Sequence, residues 1–162
     1  MNSADELLPV VDDKDRVVGV RRRGDIHAQG LRHRAVHVLV FDRAGRLYLQ
    51  RRSAEKDTHP LKWTTSASGH VDPEEGYPQA ALRELDEELG LRLALEEVGA
   101  IAACPRTENE FVRVYRALTS EEPRPNPAEI IEGRWFALAE ARRLAQDVSQ
   151  ATPSLGAALE LI

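Results

Sequence analysis

The sequence predicts a layered α/β or α+β domain, and three observations carry that expectation. Short segments of alternating apolar and polar residues recur along the chain. A few stretches of helical periodicity are set among them rather than grouped at one end. The length, 162 residues, suits one domain with a real core spanning 1–162, because two domains would each be small.

Taken in order, Leu8–Asp12 and Arg16–Val20 form two short strands around an Asp-Lys-Asp turn. Arg21 to Gly30 is polar and reads as a loop or a helical turn. His33 to Phe41 is a stronger strand, with His33, Ala35, His37, Leu39 and Phe41 on one face and Arg34, Val36, Val38 and Val40 on the other. Asp42 to Gly45 is a turn, and Arg46 to Gln50 pairs back as a hairpin. A long loop, Arg51 to Lys62, has the length of a functional connection. Trp63 to Gly69 is a short strand rich in small residues. Pro78 to Leu89 is the best helix, with proline at its start and Gly90 just past its end. Strands over Leu93–Cys104, Phe111–Leu118 and Ile130–Phe136 follow, with a proline-rich loop at Glu121–Pro127. Helices over Leu138–Gln146 and Pro153–Leu161 close the chain.

Composition narrows the function. A net charge of −5 argues against a nucleic-acid binder, which would show a basic stripe. It leaves room for a phosphorylated small molecule, since bound metal reverses local charge. The one cysteine, Cys104, excludes an intramolecular disulfide and a cysteine zinc cluster, and suits a cytoplasmic protein. No apolar run reaches the ~20 residues of a membrane helix, and the polar start of the chain is unlike a signal peptide.

Chemistry is concentrated where Gly69-His70-Val71-Asp72-Pro73-Glu74-Glu75-Gly76 runs into the helix Pro78–Leu89. At helical spacing Ala81, Leu82, Leu85 and Leu89 form an apolar stripe, and Glu84, Glu87 and Glu88 share another face. Two readings of those acids stand open. They are a solvated acidic face balanced in part by Arg83, four residues before Glu87, or they surround a hard cation such as Mg²⁺ or Mn²⁺.

The spacing from Gly69 through Glu75 to Arg83-Glu84-Leu85-Asp86-Glu87-Glu88-Leu89-Gly90-Leu91 matches the Nudix box at nine constrained positions over 23 residues. The chain therefore resembles Nudix hydrolases, and the resemblance extends from about His33 to Phe136, with the box its specific part. It implies a mixed sheet sandwiched between helices. It also implies Mg²⁺- or Mn²⁺-dependent hydrolysis of a phosphoanhydride bond in a small diphosphate metabolite, such as a nucleoside diphosphate derivative. Glu84, Glu87 and Glu88 would hold the metal, Arg83 would orient them, and Glu75 would support the loop and the metal's surroundings. Gly69 would let the backbone pass close to the metal. Tyr77 departs from the pattern, where a Ser or Thr helix cap is commoner; its presence is expected to weaken capping by about 1 kcal/mol. The general base stays open between Glu88, Glu87 and residues further along. The assembly would be a monomer or homodimer.

All five histidines lie between His27 and His70. The set His27, His33, His70, Glu108 and Glu110 resembles the metal site of isopentenyl diphosphate isomerase, which shares the Nudix fold. Arg51-Arg52-Ser53 with Lys56, Pro60 and Trp63 also looks like that branch. Ser68 stands where the branch has a cysteine, and a serine hydroxyl is too basic to exchange protons at carbon. The box acids, eroded in that branch, are all present here. Hydrolysis is thus the favoured expectation, with isomerisation and a non-catalytic binding module as alternatives. Arg51 and Arg52 read either as phosphate contacts or as solvated residues at a hairpin end.

Overall fold

The structure, a computed structural model, describes residues 3–162. An N-terminal hairpin joins β1 (Leu7–Val11) to β2 (Val17–Arg22), and α1 (Arg23–Gln29) follows. Next come β3 (His33–Phe41), β4 (Leu47–Arg52) and two short strands, β5 (Trp63–Thr64) and β6 (Ala67–His70). The chain continues through α2 (Tyr77–Leu89), β7 (Glu96–Ile101), β8 (Glu110–Leu118) and β9 (Ile130–Phe136) to α3 (Leu138–Ala145) and α4 (Pro153–Leu159).

A mixed sheet of seven strands organises these elements. β3 lies at its centre and runs parallel to β8 along its whole length, from His33 opposite Glu110 to Phe41 opposite Leu118. On its other side β3 pairs first with β6, Ala35 opposite His70 to Val38 opposite Ala67, and then with the start of β4 at Val40 and Phe41. Where β4 and β6 part company, Ser66 fills the gap. Its Oγ accepts from Val40 N at 2.8 Å and donates to Tyr48 O at 2.5 Å. The expected strand Trp63–Gly69 is thus broken in two at Thr65-Ser66.

The alternation of β3 assigns its two faces to two cores. Val36, Val38 and Val40 pack with Ala81, Leu85 and Leu89 of α2, while Ala35 and Leu39 pack with Leu155, Ala158 and Leu159 of α4. Helices therefore cover both sides of the sheet, as expected. The hairpin β1–β2 is tied to β3 by Arg34, which donates to Asp15 Oδ1 at 2.7 Å and to Asp15 O at 2.6 Å.

Two local readings are corrected, and one open choice, at Arg21–Gly30, falls to its helical alternative. Leu82 is 47% exposed, and the buried stripe of α2 takes in Tyr77 and Ala80 instead; Leu82 lies ~100° around the helix from Ala81. Arg21–Gly30 contains a real helix, closed by Gly30 in the left-handed region at φ 63°. The N-cap of α2 is Gly76, with no side-chain cap, so Tyr77 is the first helical residue and not the cap. Its phenol donates to Asp15 Oδ2 at 2.7 Å, and its ring lies under Arg113 at 4.7 Å. Tyr77 thereby joins the helix start to the N-terminal hairpin.

Candidate active site

A cleft of about 600 Å³ opens beside the β5–β6 break and is lined by β3, β6, α2 and the loops after β4 and β7. Two clusters of metal-ligating side chains face it.

The first comes from α2. Glu88 lies in the buried stripe, three residues after Leu85, and is 6% exposed. Its Oε1 accepts from Gln50 Nε2 at 2.5 Å and from Ser68 N at 3.3 Å. Glu84 is also largely buried, while the Glu87 side chain is 57% exposed at the cleft mouth. The three acids line one cleft, though they do not share a solvent face as the helical spacing suggested. Burial raises the Glu84 and Glu88 carboxyls above the usual carboxylate range, and for Glu84 the adjacent Glu88 charge adds to the effect. Gly69 is what lets the strand pass this cluster, because a Cβ there would stand 2.2 Å from the Glu84 carboxylate.

Arg83 holds the arrangement from outside. It donates to both oxygens of Glu75 at 2.9 Å, to Glu84 Oε1 at 2.7 Å and to the His70 carbonyl at 3.0 Å. Glu75 also accepts from Asp72 N at 3.0 Å, and the Arg83 hydrogen bonds hold its carboxyl below the usual range. With both oxygens committed, Glu75 supports the loop and does not line the cleft.

The second cluster joins α1, β3, β6 and β8. His27, His33 and His70 each bring a possible ligand atom within 4.8 Å of the others. Glu110 Oε2 lies 2.8 Å from His70 Nε2 and 3.2 Å from His33 Nε2. Burial would raise the Glu110 carboxyl, but the two imidazoles outweigh it and hold the group ionised. His33 Nδ1 donates to the Leu31 carbonyl at 2.9 Å, which leaves the Nε2 lone pair facing Glu110 and the other two histidines. His27 Nε2 is buried with no hydrogen-bond partner. Burial, then the neighbouring His70 and His33, lower the His27 pKa and favour the neutral form a metal needs. Glu108 lines the cleft but pairs with His59 rather than with the three histidines.

These donors fit divalent ions. The acids of α2 offer the oxygen set that Mg²⁺ or Mn²⁺ takes, and the three imidazoles with Glu110 offer a mixed set suited to Zn²⁺ or Mn²⁺.

Arg52 lines the cleft, anchored by the Thr58 carbonyl at 3.0 Å. Arg51, its neighbour on β4, points the other way and bonds the Leu61 carbonyl at 2.9 Å, as strand alternation requires. Arg23 and Lys56 add positive charge to the same wall, Arg23 paired with Asp57 at 3.1 Å and Lys56 paired with Glu129. Sequence reasoning missed Arg23, Gln50 and His59. Gln50 alone had a visible signal, since it shares a face of β4 with Arg52.

Comparisons with known proteins agree with this geometry. The NUDIX domain family matches residues 31–155. The chain is 39% identical to an isopentenyl-diphosphate Delta-isomerase of Nocardia farcinica, over 95% of this chain and 93% of that protein. It is 51% identical over 90 residues to an uncharacterized Nudix hydrolase of Streptomyces coelicolor, covering 56% of this chain and 50% of that one. Among solved structures, DR0079 from Deinococcus radiodurans superposes with a TM-score of 0.84 at 28% identity, over 96% of this chain and 98% of that chain.

Proposed function

The chain belongs to the Nudix family, and on that footing we propose that it hydrolyses a phosphoanhydride bond in a small diphosphate metabolite, with Mg²⁺ or Mn²⁺ held by Glu84, Glu87 and Glu88. The observation that carries this reading is the crowding of Glu84 and Glu88 in one cleft, both largely buried and both with carboxyls raised above the usual range. Buried carboxylates so close are costly unless a positive charge lies between them. A bound divalent ion would supply that charge, offset the charge of the diphosphate and make a water more acidic.

The protein's own groups divide the remaining tasks. Arg52, Arg23 and Lys56 stand where they can take the diphosphate oxygens. Arg83 and Glu75 keep the Glu84 carboxylate in place, and Gln50 does the same for Glu88. Glu88 and Glu87 are the candidates to accept the proton of the attacking water. The hairpin, sheet and helices are read as one domain, residues 1–162. Among the described residues no helix is long and apolar enough to cross a membrane.

Isomerisation is the second reading, favoured by the assembled His27, His33, His70 and Glu110 and by the name of the Nocardia relative. Ser68 opposes it, for it lines the cleft where a proton donor to carbon would need to be a thiol. One screen separates the two. Nucleoside diphosphates and triphosphates, nucleotide sugars, dinucleoside polyphosphates, coenzyme A and isopentenyl diphosphate are incubated with Mg²⁺ or Mn²⁺. Phosphate or nucleotide release supports hydrolysis, and a shifted double bond in isopentenyl diphosphate with no cleavage anywhere overturns it.

A further inference from the structure

Between Ser53 and Lys62 the chain forms neither helix nor strand. Its side chains nevertheless fasten it around the cleft. Lys56 pairs with Glu129, just ahead of β9, and His59 pairs with Glu108, just ahead of β8. Asp57 fastens the loop to α1.

Arg23 and His27 stand one helical turn apart on α1, so one face presents both. The Asp57 carboxylate meets the two together. Its Oδ1 accepts from Arg23 Nη2 at 3.1 Å, and its Oδ2 faces His27 Nδ1 at 3.6 Å. The bond from Arg23 fixes the carboxylate and leaves Oδ2 aimed at the imidazole. That separation is an ion-pair distance, a few tenths of an ångström longer than a hydrogen bond. The other ring nitrogen, His27 Nε2, is buried with no hydrogen-bond partner among the described residues.

The three histidines are not equally well held. His33 and His70 are carried by β3 and β6, which pair with each other in the central sheet. His27 comes from a helix of seven residues outside that sheet, so no strand pairing sets its ring. A histidine that ligates a metal through one nitrogen generally donates its other N–H to a carboxylate or carbonyl, which fixes the tautomer and the direction of the ring. The Leu31 carbonyl does this for His33. Asp57 stands in the same relation to His27.

We propose that Asp57 is a positioning residue for His27. It accepts the Nδ1–H, turns Nε2 toward His33 and His70, and so makes the Ser53–Lys62 loop part of the divalent-metal site that those histidines form with Glu110. An ion on Nε2 polarises Nδ1–H and closes the gap to Oδ2. Loop and metal site therefore stabilise each other. Lys56 adjoins Asp57, and Arg52 begins the loop, so the same contact steadies cations that line the cleft. The inference rests on the histidine cluster as a metal site and is independent of the reaction at the α2 acids.

The test titrates Zn²⁺ into the full chain by calorimetry against a competing chelator, with Mg²⁺ affinity measured beside it to report the α2 acids. Asp57→Ala should weaken Zn²⁺ binding by about 10–100-fold and leave Mg²⁺ binding unchanged. Asp57→Glu should recover most of the loss. Glu6→Gln controls for charge alone, because Glu6 approaches Arg23 at 3.9 Å and pairs with no histidine among the described residues; it should change Zn²⁺ binding little. Hydrogen exchange over residues 53–62 is the second readout. Zn²⁺ should slow it in the parent and not in Asp57→Ala. Equal Zn²⁺ affinity in parent and Asp57→Ala overturns the proposal, and so does parent loop exchange that Zn²⁺ leaves unchanged. Loss of both metals together shows a merely structural role and also overturns it. A parent that binds no Zn²⁺, or binds it equally well after His27→Ala, removes the histidine site and the proposal with it, while intact Mg²⁺ binding leaves the hydrolase reading standing.

Discussion

Replacing Gly69 with alanine tests the site at the point where backbone and carboxylate come closest. The new Cβ would stand 2.2 Å from the carboxylate carbon and Oε1 of Glu84, and 2.6 Å from Oε2. Ordinary van der Waals contact begins near 3.4 Å, so the carboxylate must retreat by roughly 1 Å. The obstructing atoms are the far end of a flexible side chain, and Gly69 is not among the glycines of positive φ, so the backbone accepts alanine. Alanine also restricts the unfolded chain, a gain of about 0.4–1 kcal/mol that offsets the crowding. Net stability should stay within about 1 kcal/mol of the parent. Activity should not, because a displacement of that size in a positioning group costs on the order of a hundredfold. The assay is kcat/KM at saturating Mg²⁺ beside a urea titration. In Gly69→Ala/Glu84→Asp the shorter acid relieves the clash, and the two changes should be less than additive. Parent-like kcat/KM in Gly69→Ala would remove Glu84 from the site. A stability loss of about 3 kcal/mol or more would show the contact to be structural.

Other substitutions probe neighbouring parts of the argument. Glu88→Gln removes a buried charge beside Glu84, so without metal the variant should be at least as stable as the parent, while the rate falls by orders of magnitude. Glu87→Gln, at an exposed position, should leave the fold unchanged and also lower the rate; near-parent rates at saturating metal would exclude either residue. His37 is buried, and burial depresses its pKa from 6.5 to about 4. The unfolded chain therefore binds the extra proton first as pH falls. The stability present above pH 6.5 should be lost progressively toward pH 4, by about 3 kcal/mol. His37→Gln should flatten that portion of a urea-midpoint profile, and an unchanged slope would show that His37 does not cause it. Tyr77→Phe removes the bond to Asp15 and should cost about 1–2 kcal/mol with little effect on kcat. A large fall in kcat with unchanged melting would instead make the phenol part of the chemistry.

The parts of this fold that could be read in the sequence are those fixed by local periodicity. The two faces of β3 followed from alternation over His33–Phe41, and the ends of α2 from Pro78 and Gly90. What escaped was set by distant partners. The break at Thr65-Ser66 depends on Ser66 bonding Val40 and Tyr48, 26 and 18 residues away. Helix α1 buries only Ile26, too little for an apolar stripe to show, yet it carries His27 to His33 and His70. The role of Tyr77 depends on Asp15, 62 residues earlier.

The acids of α2 lie between these cases, and they show how a site can be sought in a helix pattern. Counting by threes and fours from Ala81 and Leu85 places Glu88 inside the apolar stripe, not beside it. There it is 6% exposed, while Glu87, one residue before it, stands at the surface. A solvated acidic face has no reason to put a carboxylate at a core position, since burying the charge costs several kcal/mol unless a partner compensates it. Gln50 and the Ser68 amide supply hydrogen bonds but no formal charge. The helical angle of Glu88 thus sets it apart from a solvated acidic face, and it is on this position that the proposed cation site rests.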